Sequence, residues 1–245
     1  MRIPRIFTEQ ALAVGAELAL EPGPSQHLAR ALRMGQGDAL RLFDGSACEY
    51  QARIVAADKR QVVVTVLESI PGVAESPLRL HLGIGISRGE RMDWVVQKAT
   101  ELGVAAISPL YTERTEVRLR GEREGRKQLH WRQVAISACE QCGRSVLPVV
   151  HEPAALAPWL QGADGERRFV LHHRATTAPR GTELPASINL LVGPEGGLSE
   201  AEIAAAEAAG FESLALGPRI LRTETAPLAA LAILQARWGD MGSLD

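Results

Sequence analysis

Leu190-Leu191-Val192-Gly193-Pro194-Glu195-Gly196-Gly197-Leu198-Ser199-Glu200-Ala201-Glu202 carries the densest signal in the chain. A run of the apolar residues found in fully buried strands meets a glycine-rich turn, and Ser199 and Glu202 then have the spacing of a capping box that opens a helix. A buried strand feeding a helix is the unit of an α/β fold with a mostly parallel sheet. Glycines in such a turn also let a ligand approach main-chain amides and carbonyls. No Gly-Lys-Ser/Thr follows and the run is not GxGxxG, while Glu195 repels anions, so the pattern argues against a phosphate or dinucleotide loop. Alone, it reads equally as a tight strand-to-helix connection and as a ligand loop.

A second loop shifts that balance. Residues 216–227, LGPRILRTETAP, also follow an apolar run and precede a helical pattern, with Thr225 placed as N-cap and Pro227 in the first turn. Arg219, Arg222, Glu224 and the hydroxyls of Thr223 and Thr225 form a polar cluster flanked by apolar elements. Ligands of open α/β sheets bind at the carboxyl ends of strands, so the two loops together favour a site.

Outward from these loops, strands are expected at 78–86, 104–110, 146–150, 169–172, 188–192 and 213–216. Helices are expected at 90–102, from the charged stretch 113–127 to about Cys142, and at 154–160, 200–209 and 227–238. This alternation predicts helices on both faces of the sheet. The last helix has almost no polar face, which suggests a subunit interface as readily as an interior core helix, and a homodimer is expected. Earlier in the chain, short runs at 39–43, 47–56 and 61–67 are separated by turn signals and predict a small barrel or curled meander. Ser25 is placed to cap a short helix that buries Leu28, Ala31 and Leu32 and presents Arg30 and Arg33. Residues 70–77, with two prolines and a glycine, read as a linker between a first domain of 1–72 and a second of 73–245.

The 245 residues are 46% hydrophobic and carry a net charge of −2, so any nucleic-acid partner must use a local patch. Of the 27 basic residues, 24 are arginine, the better fork for phosphates and bases. Three cysteines suit a reducing compartment, and no signal peptide or membrane-length apolar run is present, so a soluble cytoplasmic protein is expected. Cys139-x-x-Cys142 lies in a helical pattern without a second ligand pair and reads as two small packing thiols; no metal site is expected. His172 and His173 follow a strand and point to opposite faces, which leaves His173 a candidate for the pocket. Residues 114–132 interleave basic residues with Glu116, Glu122 and Glu124 and read as a solvated face or a mobile RNA-contacting loop.

These residues also carry a resemblance. GPEGG at 193–197, followed by LGPRILRTETA at 216–226, resembles the signature of the bacterial 16S ribosomal RNA uridine N3-methyltransferases, a branch of the SPOUT superfamily. RGERMDWVVQKATELG at 88–103, SACEQCGR at 137–144, and Arg5 with residues 27–37 are similar to other blocks of that family. The resemblance implies a PUA-like β-barrel for RNA, then a SPOUT α/β domain whose chain forms a trefoil knot. It also implies a homodimer, S-adenosyl-L-methionine as methyl donor, and as target the uridine conventionally numbered 1498 in 16S rRNA, within an assembled 30S subunit. Ordinary connection rules argue against a knot, so only the resemblance supports it.

The cofactor pocket then maps onto Leu171, Val192, Gly193, Glu195, Gly196, Gly197, Leu216, Gly217, Ile220, Leu221, Arg222, Thr223, Thr225 and Ala226. Uridine N3 holds a proton, so the site needs a base or a cation that stabilises the forming anion. Arg222 or Arg219 is the candidate cation. Glu224 is the candidate proton acceptor or orients those arginines. Arg5, Arg30, Arg33 and Arg88 are candidates for holding RNA. Two rivals stay open: a SPOUT enzyme acting on another rRNA or tRNA nucleotide, and a non-catalytic RNA-binding protein built on the same barrel.

Overall fold

The computed structural model describes residues 3–58, 60–172 and 184–242, so His173 lies outside the described residues. The chain forms two compact units, Met1–Glu75 with Ile136–Leu147, and Ser76–Ala135 with Pro148–Asp245. The first therefore gains a stretch that the sequence assigns to the second domain. The reason is apolar packing, because Ile136 and Cys139 cluster with Phe7 and Phe43. The supposed linker is also shorter than expected, since Ile70 and Pro71 pair with Glu49 and Cys48.

The first unit holds β1 (Arg5–Phe7), β2 (Glu17–Ala19), β3 (Ala39–Phe43), β4 (Cys48–Ala57) and β5 (Val62–Pro71), in the order β1-β3-β4-β5-β2. Only β1 with β3 is parallel. Alternation sets the buried face: Val62, Val64 and Val66 pack with Leu40, Leu42, Ala52 and Ile54. Two register shifts between β4 and β5 bend the ladder.

α1 (Pro22–Gln26) widens into a π-helical turn over His27–Ala31, in which the Leu32 N–H donates to the His27 carbonyl at 3.0 Å. The wider turn rotates the faces, so Leu28 is buried while Ala31 and Leu32 are exposed, which corrects the expected inward trio. Arg30 and Arg33 are exposed as expected. Ser25 is not a cap: its buried hydroxyl donates to the Leu20 carbonyl at 3.0 Å and accepts from the Val62 N–H at 3.1 Å, stitching the helix to β5.

Arg5 is a second correction. Its side chain is 8% exposed and pairs with Glu49 at 2.7 Å. It also donates to the carbonyls of Gly143 at 2.9 Å and Arg144 at 3.1 Å. These internal partners occupy the donors that an RNA contact would need, so Arg5 holds the unit together.

The second unit contains β6 (Arg79–Gly85), α2 (Glu90–Glu101), β7 (Ala106–Tyr111), α3 (Glu122–Cys142), β8 (Val149–Val150), β9 (Ala154–Ala155) and α4 (Leu156–Gln161). It continues with β10 (Arg167–Leu171), β11 (Ser187–Val192), α5 (Glu200–Ala208), β12 (Glu212–Leu214) and α6 (Ala226–Trp238). The sheet order is β12-β10-β11-β6-β7-β8, with β9 also on β7, and every pair is parallel. Leu80, Leu82, Ile84, Leu190 and Val192 pack on one face with Val95, Trp131, Leu231 and Leu234. Val170 and Leu191 pack on the other with Leu156, Leu160, Ala206 and Phe211. The expected α/β layering is present.

α6 is less uniform than its sequence suggests. It buries Pro227, Ala230, Leu231, Leu234, Gln235 and Trp238, and the Gln235 amide donates to the Leu102 carbonyl at 3.2 Å. Ile233, on the remaining face, is 44% exposed. Among the described residues, no helix is long and apolar enough to cross a membrane.

A buried polar row crosses the second sheet. His81 on β6 lies 2.8 Å from Ser108 Oγ and 3.3 Å from Asn189 Nδ2. Burial, assisted by repulsion from His151 and opposed by Asp164, pushes its pKa down to about 4. An unfolded histidine titrates near pH 6.5, so between these values the unfolded chain binds the extra proton. Stability is therefore full above about pH 6.5 and falls toward pH 4, by about 3 kcal/mol in all. All four tryptophans lie in this unit, so their fluorescence reports its melting. His81→Asn should flatten the acid limb of Tm against pH; an unchanged slope would remove His81 as its cause.

Candidate active site

β10, β11 and β12 end side by side, and the chain leaves β11 and β12 in the two loops singled out above. In the first, the Gly197 N–H donates to the Pro194 carbonyl at 2.8 Å, and Gly197 has φ +70°, a conformation that favours glycine. Gly193 has no room for a side chain, because a Cβ there would lie 2.8 Å from the backbone of Gly197 and Leu198. Gly85 on β6 likewise has no room for a side chain, because Pro194 fills the space a Cβ would take, so the loop lies directly on the sheet. The capping box is present: Ser199 accepts from the Glu202 N–H at 3.3 Å, and Glu202 accepts from the Ser199 N–H at 2.9 Å.

The Thr223 hydroxyl donates to the Gly193 carbonyl at 3.1 Å and ties the second loop to the first. Between them lies a cavity of about 610 Å³. That is the size of an ordinary small-molecule site. Leu171, Val192, Leu198, Ile203, Leu214 and Leu216 give it an apolar side, and the glycine turn gives it a main-chain side.

Of the residues expected at the cofactor, only Thr225 stays off the cavity wall. It occupies the expected N-cap position of α6, without a side-chain capping bond. Arg219, Arg222 and Glu224 all line the cavity. Neither arginine has an ion-pair partner among the described residues, and both are exposed.

The carboxylate of the glycine turn, which disfavours an anionic ligand, has partners of its own. Glu195 accepts from the Arg88 N–H at 2.9 Å and from Arg91 Nη1 at 3.1 Å. Burial alone would raise its pKa; those hydrogen bonds and the Arg91 charge outweigh burial and hold it below the usual carboxylate range. Arg91 Nε also lies 3.9 Å from Glu224, so one guanidinium links a carboxylate from each loop. Glu224 thus pairs with Arg91. Arg114 donates to the Gly196 carbonyl at 2.9 Å and lines the cavity.

Sequence reading assigns no role to Arg91 or to Arg114 at the pocket, although both follow strands that end at this sheet edge. Arg88 is exposed and its side chain pairs with Glu116. His172 lines the cavity with Nε2 2.9 Å from Ser213 Oγ. Burial pushes the Cys139 thiol up to about 12, with smaller opposing charge effects from its neighbours, whereas Cys142 is exposed, so only Cys139 is a packing thiol. Among the described residues, no group of three or more His, Cys, Asp or Glu is placed to hold a metal ion.

A parallel sheet whose adjoining terminal loops enclose such a cavity defines a ligand-binding α/β protein, and comparison with known proteins supplies the family. Residues 74–235 match the model of an RNA methyltransferase domain and residues 25–67 that of an RNA methyltransferase PUA domain; the chain belongs to the RNA methyltransferase family. It is 36% identical over 98% of both chains to ribosomal RNA small subunit methyltransferase E of Buchnera aphidicola from Schizaphis graminum. A putative methyltransferase from Legionella pneumophila, solved with bound SAM, superposes with a TM-score of 0.95 at 41% identity, over 98% of this chain and 100% of that one. Ribosomal RNA small subunit methyltransferase E from Neisseria gonorrhoeae, bound to S-adenosyl methionine, gives a TM-score of 0.91 at 36% identity, over 98% and 99%.

Proposed function

We propose that this protein is an S-adenosylmethionine-dependent methyltransferase of small-subunit ribosomal RNA, acting at N3 of the uridine conventionally numbered 1498. The observation that carries the reading is the cavity between the two tied loops, with apolar walls for an adenine ring, a glycine-rich turn for close approach, and two arginines at its side that have no carboxylate partner among the described residues. These residues fit the cofactor, which supplies an electrophilic methyl group on a sulfonium.

The chain's own residues prepare the nucleophile. Arg222 and Arg219 stabilise the negative charge that spreads onto the uracil carbonyls as N3 loses its proton. Glu224, steadied by Arg91, accepts that proton. The apolar wall excludes water from the cofactor side. Arg30, Arg33 and Arg88 bind RNA, with the first unit as a PUA-like RNA-binding domain.

The same reading includes a trefoil knot in the second unit, an assembled 30S subunit as substrate, and a cytoplasmic homodimer. The exposed Ile233 of α6 supports the dimer, and sedimentation as a monomer at micromolar concentration would refute it. The main experiment incubates hypomethylated 30S subunits with labelled cofactor and maps the modified nucleoside. The expected product is 3-methyluridine at one site; label in another nucleoside, or none, would overturn the assignment.

A further inference from the structure

Between β7 and α3, residues 112–121 join no helix or ladder, yet the segment is pinned along its length. The Thr112 N–H donates to Thr115 Oγ1 at 3.0 Å, and the Glu113 N–H donates to Glu202 Oε1 at 2.7 Å, on the helix that follows the glycine loop. Arg114 holds the Gly196 carbonyl. At the far end the Tyr111 hydroxyl donates to Glu124 at 2.8 Å and lies 3.3 Å from the Leu119 carbonyl.

Between those pins exposure alternates. Val117 and Leu119 pack on the core of the second unit, while Glu116, Arg118 and Arg120 are exposed. Alternation of this kind is that of an extended chain, so Arg118 and Arg120 leave the same side about 6.6 Å apart along the backbone. Arg123 follows in the first turn of α3 and is also exposed.

The charges nearby do not cancel evenly. Glu116 pairs with Arg88 and Glu122 with Arg126, while Glu124 accepts only a hydrogen bond from the uncharged Tyr111 hydroxyl. Arg118, Arg120 and Arg123 have no ion-pair partner among the described residues. In a chain of net charge −2, three exposed guanidinium groups within six residues that have no ion-pair partner among the described residues, on a segment whose Arg114 lines the cavity, make a local anion track.

We propose that residues 116–123 form an RNA strap in which Arg118, Arg120 and Arg123 contact backbone phosphates of the RNA entering the cavity. The inference rests on the RNA-methylating reading above and adds where the substrate's backbone lies. An arginine fork suits phosphate oxygens, and the spacing of Arg118 and Arg120 is close to the repeat of an extended polynucleotide backbone. Each contact releases condensed counterions, so the strap has a salt signature that a structural role lacks.

The test measures equilibrium binding of hypomethylated 30S subunits across salt concentrations at fixed magnesium, for the wild type, for Arg118→Ala/Arg120→Ala/Arg123→Ala, and for the corresponding triple lysine variant. The alanine variant should bind about 10-fold or more weakly at low salt and lose about 2 to 3 from the slope of log affinity against log salt. The lysine variant should keep most of that slope, and S-adenosylmethionine affinity should be unchanged in all three. An unaltered slope in the alanine variant, or weaker binding without a change of slope, overturns the strap. Methyl transfer is followed in parallel. A wild type that binds with a slope the alanine variant lowers, yet transfers no methyl group, leaves the strap standing and refutes the enzymatic reading. Active transfer with the same slope in both refutes the strap alone, and a wild type that binds no RNA refutes both.

Discussion

Gly193→Ala should bind S-adenosylmethionine about 10- to 100-fold more weakly while the sheet still folds. The added Cβ lies 2.8 Å from Gly197 and Leu198, and its neighbours are backbone, which cannot swing aside as a flexible side chain can. Overpacking of this kind costs about 1–3 kcal/mol, and here the least costly relief is to open the turn. Opening also strains the Thr223 bond to the Gly193 carbonyl, so both walls of the cavity shift together. Gly162→Ala is the control, since a Cβ there meets nothing closer than 3.6 Å. Calorimetric titration decides the matter: wild-type affinity in Gly193→Ala would mean that the turn is not the cofactor's cradle.

Arg222→Ala and Glu224→Gln form the second large effect. Loss of a preorganised cation at a developing oxyanion costs about 100- to 1,000-fold in rate, and loss of a positioned base about 100- to 10,000-fold. Single-turnover methyl transfer should show these losses, with S-adenosylmethionine affinity measured separately so that binding and chemistry are not confused. Near-normal turnover in both variants would refute their assigned roles. Because Glu224 is paired with Arg91, the glutamine variant also frees that guanidinium, leaving Glu195 as its sole carboxylate partner among the described residues.

Elements long enough to show their period were readable in the sequence. α2 and α5 lie within a residue of their expected bounds, because one has a clean apolar face and the other a capping box. β1 and β2, with three residues each, show no period and escaped notice. The two site loops were legible because glycine and proline mark turns whatever surrounds them. What was not legible depended on partners distant in the chain. Arg5 reads as a surface cation until Glu49 and the carbonyls of Gly143 and Arg144 close around it. Arg91 reads as one polar residue on an amphipathic helix until Glu195 and Glu224, more than a hundred positions later, converge on it. The faces of the turn at His27–Ala31 depart from the expected ones because a π-helical turn does not keep the 3.6-residue period.

The borrowing of Ile136–Leu147 by the first unit has a consequence for biosynthesis. A nascent chain released only as far as Glu75 holds every strand of that small sheet. It still lacks the Ile136 and Cys139 side chains that cover Phe7 and Phe43, and the carbonyls that satisfy Arg5. On the ribosome, the amino-terminal portion must therefore wait, with an aromatic pair uncovered and an arginine held by Glu49 alone, until roughly seventy further residues have emerged.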